Sequence, residues 1–167
     1  MMPYAVTHIL IPIITLDLIR DHYMKHKHAW TNKYIFAAGV GGILPDVINV
    51  FVILQGLFTG VTTNFRPYTH NILFLLIFIF AAEIFRRKKS DHKYALALGF
   101  GVGTHLILDL IILGGVNLFY PFSSYLYAIN LFDIVPIGIR GLLGMDVAVL
   151  LLWLWHEEKE HKISGFF

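Results

Sequence analysis

Gly103-Thr104-His105-Leu106-Ile107-Leu108-Asp109-Leu110 sets a histidine and an aspartate four residues apart inside an apolar run that extends from about 94 to 116. On a helix, residues four apart share a face, so the imidazole and the carboxylate stack and can chelate one cation. A run of this length and polarity reads as a bilayer span. Inside hydrocarbon a His/Asp pair is costly unless it is paired or holds an ion. The stretch therefore predicts a membrane helix and, within it, a metal site.

The rest of the chain extends that reading. Of 167 residues 57% are hydrophobic and 14% charged, which departs from the balance of a soluble domain. Apolar runs at about 4–19, 34–58, 71–85, 94–116 and 141–155 predict an all-α polytopic bundle of about five membrane-embedded helices. One domain, 1–167, takes in the whole chain, with no linker or repeat to divide it. There is no cysteine, which excludes disulfides and thiolate ligands and leaves nitrogen and oxygen to hold a metal.

The basic residues orient the bundle. Met1 to Ile19 contains no Lys or Arg, unlike a secretory leader, so this segment is expected to stay attached. Arg20, Lys25, Lys27 and Lys33 separate the first two runs, Arg86, Arg87, Lys88, Lys89 and Lys93 separate the third and fourth, and Lys159 and Lys162 follow the last. Arg66 and Arg140 alone fall in the alternate loops. The positive-inside rule then places the N-terminus outside and the C-terminus in the cytoplasm of an inner-membrane protein. Trp153 and Trp155 suit an inner interfacial belt. The basic loop at 86–93 reads as a solvated turn touching anionic lipid, and nucleic-acid binding is not indicated.

Counting about 1.5 Å per residue from the nearest inner basic residue places His8 and His105 about 18 Å, Asp46 about 20 Å, and His70 and Asp109 about 24 Å above the inner boundary. All five meet at one level, in the outer half of a core roughly 30 Å thick. Taken singly, His8 could be interfacial, Asp46 could cap a helix restarted after Pro45, and His70 could be a capping residue. Taken together, two carboxylates in hydrocarbon repel, and one divalent ion would neutralise both while histidines complete its coordination. Asp146 reads either as a supporting or second-metal acid or as a partner of Arg140. Asp17 with Arg20 and Glu83 with Arg86 read as helix ion pairs at the inner interface. His22, His26 and His28 lie on the inner side, away from the cluster. So do His156 and His161, and the inner halves of the helices offer no evident second tier of ligands.

Two glycine runs, Gly39-Val40-Gly41-Gly42 and Gly99-Phe100-Gly101-Val102-Gly103, would let the second and fourth helices approach closely. That approach brings Asp46 toward His105 and Asp109. Between the last two helices the segment 114–139 carries Phe119, Tyr120, Phe122, Tyr125, Tyr127 and Phe132, with Pro121 and Pro136 opposing one long helix. It is expected as an interfacial or re-entrant segment over the site, serving as an aromatic belt or as a lid.

Thr7-His8, Gly42-Ile43-Leu44-Pro45-Asp46, Arg66 with Thr69-His70, Gly103-Thr104-His105 with Asp109, and Tyr120-Pro121-Phe122-Ser123 occur in an order that resembles the YdjM-type membrane-bound metal-dependent hydrolase family, over about 7–123. The order is also similar to the front half of the zinc-dependent phospholipase C and single-strand nuclease superfamily. That resemblance implies His70, His105, Asp109 and Asp46 around one zinc, Asp46 near the attacking water, and His8 sharing a second zinc bridged by Asp109. No later His-x-x-x-Glu within a span completes a three-metal pattern.

The resulting expectation is a membrane-embedded hydrolase with one or two divalent ions, zinc first. Metal would activate water against a phosphoester of a lipid or lipid-linked substrate, with Asp46 handling the proton and Arg66 holding a phosphate oxygen. An acyl ester is the less favoured substrate. The alternatives are a divalent-metal transporter and a structural membrane protein stapled by a metal.

Overall fold

The computed structural model of the chain describes residues 5–24, 27–60, 65–112, 115–129 and 139–161. Lys25, His26, Phe132, Pro136 and Lys162 lie outside these residues, as do the side chains of Lys27, Arg140 and His161. The elements in order are α1 (Ala5–Tyr23), a 3-10 turn (Lys27–Ala29), α2 (Asn32–Thr59), the single turn α3 (Arg66–Thr69), α4 (Ile72–Ile84), α5 (Lys89–Ile112) and α6 (Ile139–His161). Five helices thus follow the five apolar runs. Three stretches are long and apolar enough to cross a membrane, namely 32–59, 66–84 (α3 with α4) and 89–112. α1 carries Asp17, Arg20 and Asp21 in its last two turns, which lowers its apolar length.

Local chemistry sets the helix ends. Asn71 caps α4, its side-chain oxygen accepting the Phe74 amide at 2.8 Å, while α2 stops at Gly60, whose φ of 70° suits glycine and whose amide donates to the Gly56 carbonyl. α2 runs on through Pro45, so Asp46 does not cap a restarted helix. Pro12 lies inside α1 and cannot donate to the His8 carbonyl. That carbonyl instead lies against Gly42, where a built Cβ would come within 2.0 Å of it.

Helix directions follow from the contacts. His8 and Pro12 meet Gly42 while Arg20 meets Asn32, so α1 and α2 are antiparallel. Tyr34 meets Tyr94 while Gly42 meets His105, so α2 and α5 are parallel. Ala82 meets His92 and Leu75 meets Gly103, so α4 and α5 are antiparallel. α6 lies along α1: Thr7 meets Asp146 at one end and Asp17 meets His156 at the other, ten residues later on both helices, which makes the two parallel. The tightest seam joins α2 and α5, where a Cβ on Gly101 would fall 2.0 Å from the Ala38 carbonyl oxygen. Small residues there replace side-chain interdigitation with backbone contact, as expected where lipid supplies no hydrophobic drive between helices. Buried Leu16, Ile35, Ala37, Ala38 and Ala97 fill the α1–α2–α5 junction at the level below Gly42.

The described part of the segment after α5 is irregular. Val116 and Tyr127 form an isolated antiparallel bridge, the Ile72 amide donates to the Leu118 carbonyl, and Tyr120 packs edge-on to Tyr68 at 4.8 Å. It is thereby pinned to α3 and the start of α4, beside the residues described next.

A candidate metal centre between α1, α2 and α5

The five residues counted to one level do converge. His105 is fully buried, and His70 and His8 are 1% and 4% exposed. His105 Nε2 lies 3.1 Å from His70 Nε2, 3.7 Å from Asp109 Oδ2 and 4.0 Å from Asp46 Oδ1. His70 Nε2 lies 3.2 Å from Asp46 Oδ1 and 3.5 Å from Asp109 Oδ2. Four bonds of about 2.0–2.2 Å to one tetrahedral ion would set their donor atoms roughly 3.4 Å apart. These separations scatter about that value.

The opposite edges of the rings decide which nitrogen faces inward. His105 Nδ1–H donates to the Gly42 carbonyl at 2.6 Å, and His70 Nδ1–H donates to the Thr69 hydroxyl at 2.9 Å, which in turn donates to the Arg66 carbonyl. Both rings then carry their lone pair on Nε2, toward each other and toward the carboxylates. Two lone pairs facing across 3.1 Å make no hydrogen bond, but they suit two ligands of one cation. Each element has a reason to deliver its residue. His70 ends α3 at the bend before Asn71 caps α4, Asp46 follows Pro45, and glycines bring α5 close enough for His105 to touch the α2 backbone.

Asp109 has a second face. Its Oδ1 lies 3.2 Å from His8 Nε2, and its Oδ2 accepts from Arg66 Nη2 at 2.7 Å. The His8 and His105 rings lie 4.3 Å apart, tilted by 50°. The carboxylate is therefore placed to bridge, with His8, His105 and Asp109 forming one possible donor group and Asp46, His70 and His105 another. Arg66, with its side chain 48% exposed, stands at the rim and reaches inward to Asp109. Asp146 makes no contact with these donors among the described contacts. It accepts the Thr7 amide at 3.1 Å and also the Thr7 hydroxyl, fixing the residue that precedes His8. The Arg140 side chain, the alternative partner, lies outside the described residues.

Sequence reasoning missed Thr69 and the Gly42 carbonyl as supports of the histidines. It also missed a second cluster at the opposite end of α1. The expectation that the inner halves of the helices hold no second tier of ligands is overturned, because Asp17, Asp21 and His156 offer donor atoms within 4.8 Å of one another. His156 comes from α6 and Asp17 from α1, so only their parallel packing brings the pair together. The two predicted ion pairs are present, Asp17 with Arg20 and Glu83 with Arg86 at 3.1 Å.

Fold and site together define a helical membrane protein with buried histidine and aspartate clusters able to hold metal. The chain belongs to the YdjM inner membrane protein family, whose model matches residues 1–166. It is also 29% identical over 92 residues to YvsG of Bacillus subtilis (strain 168), described as an uncharacterized protein. That match takes in 51% of this chain and 55% of the relative, so the chain spans about half the length of the curated relative it matches. No solved structure matches the chain.

Proposed function

We propose that the protein is a membrane-embedded, metal-dependent hydrolase that uses one or two divalent ions, zinc first, on a phosphoester of a lipid or lipid-linked substrate near the outer leaflet. The observation that carries this reading is the inward convergence of His70 Nε2 and His105 Nε2 on two carboxylates, with both rings held from behind. Nitrogen and carboxylate donors without thiolates suit zinc and its neighbours in the first transition row.

A bound ion in such a setting lowers the pKa of water toward about 7 and polarises a phosphoryl oxygen. The protein's own residues do the rest. His70, His105 and Asp109 hold the ion, His8 extends the set through the second oxygen of Asp109, and Asp46 orients water and accepts its proton. Arg66, anchored on Asp109 and half exposed, holds a phosphate oxygen at the rim. The segment around Tyr68 and Tyr120 offers an aromatic surface beside Arg66, suited to the interfacial part of a lipid. The alternating directions of the five helices support a reading of five crossings, for which the charge pattern favours the N-terminus outside and the C-terminus inside.

The deciding experiment is Asp46→Asn, which keeps size and an oxygen donor but removes basicity. Metal content should stay largely intact, while hydrolysis of extracted membrane lipids falls by roughly the 10²–10⁴-fold that general-base catalysis supplies. The cluster of Asp17, Asp21 and His156 favours a second reading, a divalent-cation carrier with sites at two depths. Buried Leu16, Ile35, Ala38 and Ala97 pack the level between those depths and oppose it. Metal flux into reconstituted vesicles, with no product from any lipid fraction, would replace the enzyme by the carrier.

A further inference from the structure

Three polar atoms shielded from solvent, Asp17 Oδ2, His156 Nε2 and Trp153 Nε1, lack a close hydrogen-bond partner among the described residues, and the Glu157 carboxyl group interacts with that of Asp17. The Asp17 side chain is 4% exposed. Its other oxygen is bound by Arg20, which also holds Asp21 at 2.8 Å and Asn32 at 2.8 Å. A cavity of about 210 Å³ opens here, lined by Asp17, Arg20, Trp153 and Glu157 among others. Leaving buried polar groups unpaired is costly, so Asp17 Oδ2 and His156 Nε2 facing each other beside this cavity indicate a missing ligand rather than a packing defect.

The donor set points to its kind. Asp17 Oδ2 and His156 Nε2 stand 4.0 Å apart. That is too far for a hydrogen bond between them. One cation held by both at about 2.0–2.2 Å would open the angle between them beyond about 130°, so a small inward shift of either side chain brings the pair to the roughly 3.4 Å spacing of tetrahedral ligands. Asp21 adds a carboxylate within reach of both donors. Trp153 N–H cannot ligate a metal, but it can donate to a water that completes the coordination, for which the cavity has room.

The geometry points to a second divalent-cation site, formed by Asp17, Asp21 and His156 where the C-terminal halves of α1 and α6 lie side by side, with a nitrogen–oxygen donor set suited to a first-row ion such as zinc, manganese or cobalt. It lies about 14 Å along α1 from His8, counting helical rise, and does not rest on the reading of the first cluster. Because its ligands come from both ends of the chain, an ion bound here clamps α6 to α1, and so steadies the Asp146–Thr7 contact further along the same pair.

Trp153 supplies the reporter. In full-length protein carrying Trp30→Phe and Trp155→Phe, Co²⁺ titration should quench the remaining indole saturably. The quenching should survive His105→Ala, which removes the first site, and disappear with His156→Gln. Asp17→Asn should behave like His156→Gln; should that variant fail to fold because Arg20 loses its partner, His156→Gln alone carries the test, since its ring is not held by any described hydrogen bond. In parallel, equilibrium dialysis with Zn²⁺ should find one ion retained by His105→Ala and lost on adding His156→Gln. Absence of saturable quenching in the reporter protein, quenching indifferent to His156→Gln, or quenching abolished by His105→Ala would each overturn the second site.

Discussion

Thr69 illustrates how much of the candidate centre rests on groups that would not themselves touch an ion. Its hydroxyl takes the proton of His70 Nδ1 and passes its own to the Arg66 carbonyl, so one side chain fixes both the ring's tautomer and the turn that carries Arg66. Supports of this kind are worth roughly 10–100-fold in metal affinity. Thr69→Val, which removes the acceptor at nearly constant volume, should weaken Zn²⁺ binding in a chelator competition by that factor and leave the helical content unchanged. Unaltered affinity would reduce Thr69 to a turn residue. The ligand candidates themselves were legible in the sequence, because helical rise is fixed and the basic residues mark a boundary from which His8, Asp46, His70, His105 and Asp109 can be counted to one level. Their supports were not, since neither the Gly42 carbonyl nor the Thr69 hydroxyl can be assigned before it is known which nitrogen of each ring faces inward.

At the scale of helices, the glycine runs announced close approach but not every partner. Gly101 does meet α2, as the pairing of the second and fourth helices requires, whereas Gly42 is pressed chiefly by the His8 carbonyl of α1. The difference comes from Pro12, which frees that carbonyl, and such a coupling between a proline in one helix and a glycine in another has no signature in either segment alone. Gly101→Ala would set a Cβ 2.0 Å from the Ala38 carbonyl oxygen and 2.6 Å from the Gly42 nitrogen, both rigid backbone atoms. Overpacking of this kind costs about 1–3 kcal/mol. The variant should therefore melt at lower temperature in detergent, and should also bind metal more weakly, because parting α2 from α5 lengthens the bond between His105 and Gly42. Gly103→Ala is the matched control, since its nearest neighbours are Leu75 methyls at 3.8 and 3.9 Å. Equal melting temperatures for the two variants would refute the backbone-contact account of this seam. The inner cluster marks the opposite limit of sequence reading: Asp17 looked complete with Arg20 as its helical neighbour, and its relation to His156 depends on α1 and α6 being parallel.

For the molecule as a whole, the directions of the helices and the distribution of charge are compatible with one arrangement. α1 and α6 run the same way, α2 and α5 run the same way, and each helix opposes the one before it, the pattern of five successive crossings that leave the two termini on opposite sides. Lys and Arg choose which side is which, through the loops at 20–33 and 86–93. The charge reading therefore predicts the candidate centre in the outer half of the membrane, and Asp17, Asp21 and His156 at the inner interface. Because the chain contains no cysteine, this can be read without background. Cysteine at Ser124, whose side chain is exposed in the segment beside Tyr120, should react with an impermeant maleimide added to intact cells. Cysteine at Ser90, exposed at the start of α5 among Lys88, Lys89 and Lys93, should react only after the membrane is opened. The reverse pattern would invert the protein, move the His/Asp centre to the cytoplasmic leaflet, and redirect the search for its substrate to lipids exposed on that side.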